Sequence, residues 1–108
     1  AKQYAKQLVR KVFASQQETD EILQRNAKNW ELKRMAAIDR NILRMAVAEL
    51  RFFKQVPFKV VIDEAVEIAK IYGGEESSKF VNGIIDSVRK EILAQQQSHS
   101  SLDISDRE

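Results

Sequence analysis

Three basic residues near the beginning of the chain, Lys2, Lys6 and Arg10, recur every four positions. Residues four apart lie on one face of an α-helix, so this spacing predicts a positively charged ridge. Such side chains can neutralise the phosphates of a nucleic-acid backbone. An ordinary solvent-exposed helix face has the same pattern, so the residues alone leave both interpretations open. A second basic set follows one side of the next predicted helices: Lys33, Arg40, Arg44 and Arg51.

Lys79 and Phe80 stand together in the first turns of the last predicted helix. A partly exposed ring beside a lysine can stack on a base of a single-stranded nucleic acid. The same ring could instead pack in the core with Ile84, and the spacing alone favours the core. The pair is therefore a candidate RNA contact with a structural alternative.

Catalytic chemistry finds little support in these residue types. Asp63, Glu64 and Glu67 could suggest a metal site, but a di-metal site in a helical bundle would add Glu-x-x-His pairs, and the single histidine, His99, lies in a polar stretch. Without a usable histidine or any cysteine, no nucleophilic triad can be assembled. The pair Gly73-Gly74 lacks the spacing of a phosphate loop. We therefore predict a protein that is not an enzyme and holds no metal or cofactor.

The composition is that of one globular helical domain. The chain has 108 residues, of which 44% are hydrophobic and 31% charged, with three glycines, one proline and a net charge of +2. So few helix-breaking residues favour an all-α fold. The absence of cysteine is compatible with a reducing compartment. No apolar run approaches the ~18 residues of a membrane span, and no signal-peptide pattern is present, so a cytoplasmic location without membrane contact is expected.

Hydrophobic periodicity predicts a compact bundle of about five helices. Residues 2–14 carry one apolar stripe, and Thr19 could cap a following helix that runs to about Ala27. Residues 37–54 form the longest clear helix, whose apolar surface exceeds half its circumference and indicates a central position. The stripe of the first helix consists of Tyr4, Leu8, Val9, Val12 and Phe13.

The second half of the chain reads as two more helices. Pro57 suits the start of the first, and Gly73 is a natural left-handed stop at its end. The last helix then buries a face that runs from Phe80 to Ile92. Gly83 within that helix costs about 1 kcal/mol relative to alanine, which we interpret as close approach by another helix.

Two boundaries follow from these patterns. Residues 1–94 are predicted to form one helical domain, and residues 95–108 a disordered polar tail. Because the first residue is alanine and lies inside an apparent helix, we expect that the chain begins partway through a larger natural protein.

The junctions between the helices resemble those of one known family, the NusB transcription antitermination proteins. Trp30 to Leu50 reads W-x-L-x-R-x-x-x-I-D-R-N-I-L-R-x-A-x-x-E-L, which is similar to the family's central helix. Val56 to Asp86 reads VPFKVVIDEAVEIAKIYGGEESSKFVNGIID, which resembles the family's longest signature. The resemblance covers residues from about 4 to 92.

The resemblance implies an all-α fold of two small helical subdomains and a role without catalysis. NusB-like proteins bind the single-stranded boxA element of nascent RNA together with ribosomal protein NusE. The complex joins RNA polymerase and supports the transcription of ribosomal RNA operons. By position in the motifs, Glu76, Lys79 and Phe80 would occupy the RNA-proximal corner, whereas Asp39 and Arg40 would lie near the surface that faces NusE.

One departure from the family pattern shapes our expectations. The family's first two helices and its arginine-rich amino terminus have no counterpart in residues 1–108. We therefore expect apolar surface on the helix of residues 2–14 to be uncovered and to favour association into a homo-oligomer. Two alternatives stay open: the NusB-like RNA-binding domain of an RNA cytosine methyltransferase, and a truncated scaffold that associates without binding RNA.

Overall fold

The computed structural model describes the backbone of residues 2–27 and 35–107 and the side chains of residues 3–27 and 35–97. The predicted all-α class is confirmed over these residues, but the predicted count of about five helices is slightly too high. The last two predicted helices are joined in one element, in which Gly74 alone has non-helical dihedral angles. Trp30 and Lys33 lie outside the described residues. The helices are α1 (Lys2–Ala14), α2 (Gln16–Asn26), α3 (Ala37–Phe52) and α4 (Phe58–Arg107).

The helix α3 lies at the centre of the fold, as its broad apolar surface predicts, and contacts α1, α2 and α4. Leu43 and Val47 of α3 are completely buried. Burial of a side chain of this size stabilises the fold by about 1.5–3 kcal/mol. The same core contains buried residues from the other elements: Leu23, Ala27, Met35, Val61, Ala65, Ala69, Val81, Ile84, Ile85 and Val88.

A smaller apolar cluster attaches α1 to the end of α3. Leu8 is buried there with Ala48 and Phe53. Tyr4 packs the edge of its ring on Phe53, with centroids 5.3 Å apart and an interplanar angle of 75°. An edge-to-face pair of this kind adds about 0.5–1.5 kcal/mol beyond the area it buries. The cluster therefore fixes the position of α1 on the main bundle.

The boundary between α1 and α2 falls at Ser15, a single turn residue, so this region forms two helices. Thr19 does not cap a helix, so that expectation is wrong. It lies inside α2 with 1% of its surface exposed, and its hydroxyl accepts a 3.2 Å hydrogen bond from Arg51. The helix α2 begins earlier than the capping pattern predicted. The carbonyl oxygen of Ser15 already accepts a hydrogen bond from the backbone N–H of Thr19.

A single residue divides α4 into a first arm, residues 58–73, and a second arm, residues 75–107. Gly74 has φ +87° and ψ −174°, a conformation that is essentially restricted to glycine. The predicted stop at Gly73 is therefore one residue too early. Gly73 is instead required for space, because a Cβ atom there would collide with the side chain of Ser77.

The interpretation of Gly83 as a site of close helix approach is wrong. A Cβ atom built at Gly83 would meet no atom within 4 Å, and the residue is exposed. Packing of the described residues therefore does not require glycine at this position.

The carboxyl-terminal half of the second arm continues as helical backbone through Arg107. The division into a domain of residues 1–94 and a disordered tail of residues 95–108 stays a prediction. Among the described residues, no helix combines the length and apolar character that crossing a bilayer requires.

Candidate nucleic-acid interface

The predicted basic ridge of α1 is exposed where the structure describes it. Lys6 and Arg10 both face solvent, one turn apart, whereas the side chain of Lys2 lies outside the described residues. Phe13 and Val9 of the apolar stripe are also exposed, at 73% and 48%, in agreement with the expected uncovered apolar surface on this helix. The outer surface of α1 therefore combines cations with uncovered apolar side chains.

The predicted RNA-proximal corner forms in the first turns of the second arm. Glu76 and Lys79 are exposed, while Phe80 is half-buried and packs against the main core. The core interpretation of Phe80 is therefore correct in part, because the half-buried ring packs on the core, and its contact with RNA stays a prediction. We call these three residues the Phe80 corner. Its position depends on Gly74, which sets the direction in which the second arm begins.

Asp39 lies beneath this region rather than on the surface. It is 7% exposed, and its Oδ2 accepts a 3.3 Å hydrogen bond from the hydroxyl of Ser77. The other oxygen, Oδ1, is buried without a hydrogen-bond partner among the described residues. Asp39 therefore connects the start of α3 to the second arm. Its neighbour Arg40 is half-buried, and Ile38 is exposed beside it.

Two basic residues of the predicted stripe on α3 serve the fold. Arg44 donates two 2.8 Å hydrogen bonds to Asp20, with both side chains mostly buried. Arg51 donates to Glu18 at 2.8 Å and to Thr19. Bidentate pairs of this kind fix geometry as well as adding energy. Arg44 and Arg51 are therefore mostly buried ion partners that hold α2 against α3, and neither belongs to an ordinary solvent-exposed face.

A further tie holds the end of α2 on the second arm. Arg25 donates two hydrogen bonds to Glu91, at 3.2 and 3.0 Å. These bonds are the main cause that keeps the pKa of Glu91 below its usual range. Asn26 accepts a 2.7 Å hydrogen bond from Ser87 on the same arm. The Phe80 corner is thus carried by an arm that is fastened to the bundle further along its length.

Sequence reasoning missed a polar pair between α1 and α3. The hydroxyl of Tyr4 donates a 2.7 Å hydrogen bond to Oε2 of Glu49. Burial raises the pKa of Glu49, and Glu64 adds to the effect by charge repulsion. Residues 45 positions apart give no local signal for such a contact.

Acidic residues do not gather into a metal site here: the described residues contain no group of three possible ligands.

Comparison with known proteins identifies relatives of one kind. A sequence model described as the NusB family matches residues 1–90. The transcription antitermination protein NusB of Salinibacter ruber is 51% identical over 85 residues, which are 79% of this chain and 53% of that protein. NusB of Thermotoga maritima is 46% identical over 91 residues, which are 84% of this chain and 64% of that protein. The chain thus spans roughly half to two thirds of these relatives.

Solved structures agree with the sequence comparison. T. maritima NusB superposes with a TM-score of 0.80 at 46% identity, over 83% of this chain and 63% of that one. A structure of antitermination factors NusB and NusE in complex with dsRNA gives a TM-score of 0.76 at 34% identity, over 82% of this chain and 65% of the other.

Proposed function

Because the chain belongs to the NusB family, we propose that it is the RNA- and protein-binding part of a transcription antitermination factor. Its RNA target is a boxA-type single-stranded element, which it binds together with ribosomal protein NusE. The resulting complex joins RNA polymerase and supports the transcription of ribosomal RNA. Such a factor works where RNA is synthesised, so we propose the cytoplasm as its compartment.

The Phe80 corner carries this proposal. An exposed lysine stands beside a half-buried aromatic ring, which is the combination that single-stranded RNA needs for phosphate contact and base stacking. The exposed cations Lys6 and Arg10 of α1, with Lys2 one turn before them, add phosphate contacts in this proposal. The solved relative that holds both NusE and dsRNA supports the assignment to RNA.

The experiment measures the anisotropy of a fluorescent boxA-like RNA across a salt series, with and without NusE. We expect Lys79→Glu to weaken binding about 3- to 10-fold and to reduce the salt slope by about one, since one phosphate contact is lost. Lys59→Glu, which reverses an exposed charge on the first arm, is the matched control and should bind like the wild type. Binding that ignores salt, or equal binding by both variants, would contradict the proposal.

The partner surface is proposed at the start of α3. Arg40 and the exposed Ile38 can contact NusE directly, whereas buried Asp39 would act by holding the start of α3 in position. We expect Arg40→Glu to weaken the binding of NusE, measured by calorimetry in the absence of RNA. Lys59→Glu should leave that affinity unchanged. A normal affinity for Arg40→Glu would place the partner elsewhere.

Association of this polypeptide with itself is a second proposal, supported by one specific observation. Phe13 is 73% exposed on α1, next to the exposed Val9. Uncovered aromatic and aliphatic side chains favour association. We expect the chain to sediment as a concentration-dependent oligomer and Phe13→Glu to sediment as a monomer. A wild-type chain that stays monomeric at all concentrations would overturn this proposal.

A further inference from the structure

Three open clefts adjoin one another at the end of the bundle where α3 stops and α4 begins. Their volumes are about 500, 720 and 270 Å³. Phe52 lines both the first and the second cleft, and Lys54 lines both the second and the third. The three clefts therefore form one continuous surface, which runs from α1 across the end of α3 to the second arm of α4.

The charges on this surface are almost all positive. Five basic side chains line the clefts, with one carboxylate, Glu49, which already accepts the hydrogen bond from Tyr4. Among the described residues, Arg51 alone of the five lies within ion-pair distance of a carboxylate. The other four have no counterion among the residues that the structure describes: Arg10, Lys11, Lys54 and Arg89.

Aromatic rings hold several of these cations in place. Lys11 and Arg51 lie 4.5 and 4.6 Å from the ring centroid of Phe52. Arg89 lies 4.0 Å from the centroid of Phe58. A guanidinium that stacks on a ring uses its flat face, so its N–H edges stay available for phosphate oxygens. Lys11 and Arg89 are therefore positioned before any ligand arrives, which lowers the entropy lost on binding.

We propose that this surface, formed by Arg10, Lys11, Lys54 and Arg89 around Phe52 and Phe58, binds the phosphate backbone of single-stranded RNA. We call it the Phe52–Phe58 track. The inference rests on the proposed RNA-binding function and adds a second contact region to it. Because Arg10 belongs to both the basic ridge of α1 and the first cleft, the track continues a surface already assigned to RNA.

The track is separate from the Phe80 corner. Phe80 and Arg89 are nine residues apart, which is two and a half helical turns and about 13.5 Å along the axis. The two side chains therefore leave the second arm on opposite sides. An RNA that reaches both must extend beyond the few nucleotides that fit at the corner. A chain with one negative charge per nucleotide suits cations spread over three clefts, which favours RNA over a short acidic peptide.

The experiment compares two labelled RNAs that share one boxA-like sequence. The short RNA has about 4 nucleotides and the long RNA about 16, the two ends of the range of site sizes of single-strand-binding domains. We expect Lys54→Glu to weaken the binding of the long RNA at least threefold and to reduce the salt slope of that binding by about one. The affinity for the short RNA should not change. Lys54→Gln should give a smaller effect in the same direction.

Lys70→Glu is the matched control, because Lys70 is exposed on the first arm and lines none of the three clefts. It should bind both RNAs like the wild type. Circular dichroism and thermal unfolding verify that every variant is folded. Lys54 is suited to this test because it is exposed and has no ion partner among the described residues.

The outcomes separate the two proposals. A wild-type chain that binds neither RNA overturns the proposed function. A wild-type chain that binds both RNAs, with Lys54→Glu equally tight on the long one, overturns the track and leaves the function standing. If polyglutamate competes with RNA for the track and RNA length has no effect on affinity, the surface binds an acidic protein instead. That result also overturns the proposed track.

Discussion

Tyr4 and Glu49 join α1 to α3 through a 2.7 Å hydrogen bond between the phenol hydroxyl and Oε2. Burial is the largest cause that raises the pKa of Tyr4 to about 12, and the hydrogen bond to Glu49 and its charge add to it. The fold therefore favours the neutral phenol. This pair lies beside the aromatic contact of Tyr4 with Phe53, so one residue provides two of the attachments of α1, and buried Leu8 provides another.

The first prediction concerns alkaline pH. The pKa of Tyr4 is about 12 in the folded chain against 10.0 for an unperturbed tyrosine, so its stabilisation is complete below pH 10 and is lost as the pH rises through 12. We expect the free energy of unfolding to fall more steeply between pH 10 and 12 for the wild type than for Tyr4→Phe. At pH 7, Tyr4→Phe should be less stable by about 0.5–1.5 kcal/mol. Urea unfolding followed by circular dichroism measures both; parallel pH profiles would refute the prediction.

The second prediction separates fold from RNA contact among the arginines of α3. Arg44→Met removes the bidentate pair with Asp20 and leaves a mostly buried carboxylate without its partner. We expect a loss of about 1–3 kcal/mol in urea unfolding. Lys90→Ala, which breaks an exposed pair with Asp86, should change stability by no more than about 0.5 kcal/mol. RNA affinity of folded Arg44→Met should match the wild type, and a marked loss would show that Arg44 contacts RNA.

The third prediction compares two glycines of α4. Gly74→Ala has open space for its Cβ atom but must adopt φ +87°, so we expect a loss of about 1–3 kcal/mol from backbone strain alone. Gly83→Ala meets no atom and stays helical, so it should stabilise the chain by about 0.5–1 kcal/mol. Thermal unfolding of both variants gives the comparison. Effects of the same sign would contradict the assigned backbone conformations.

The fourth prediction tests the ring at the Phe80 corner. Phe80→Leu keeps an apolar side chain against the core, so the fold should lose no more than about 1.5 kcal/mol. Leucine cannot stack on a base as a ring does, so we expect RNA affinity to fall about fivefold or more. Anisotropy with the short boxA-like RNA measures affinity, and thermal unfolding measures stability. Unchanged affinity in a folded variant would make Phe80 a core residue only.

The helices and the core could be predicted from sequence because both follow from local periodicity. The apolar stripe of α3 identified its central place, and Val81, Ile84, Ile85 and Val88 were found on the buried face of the last helix. The position of the break in α4 was missed by one residue. Both Gly73 and Gly74 can leave helical geometry, and no local pattern in the sequence decides between them.

Long-range polar contacts could not be predicted in the same way. The partners Arg44 and Asp20 are 24 residues apart, and Tyr4 and Glu49 are 45 apart, so their pairing depends on how helices cross. The cations of the Phe52–Phe58 track come from two helices, α1 and α4, and from the connection between α3 and α4. No window of sequence contains them together. The motifs did, in contrast, single out Lys79 and Phe80, because those two residues are adjacent.

Gly74 is the one residue in α4 whose backbone leaves the helical region. The direction of the second arm therefore depends on the φ and ψ angles of Gly74. The same two angles place Ser77 against Asp39 and Phe80 against the main core. A residue without a side chain thus sets the placement of the proposed RNA contacts, Lys79 and Phe80, relative to the rest of the fold.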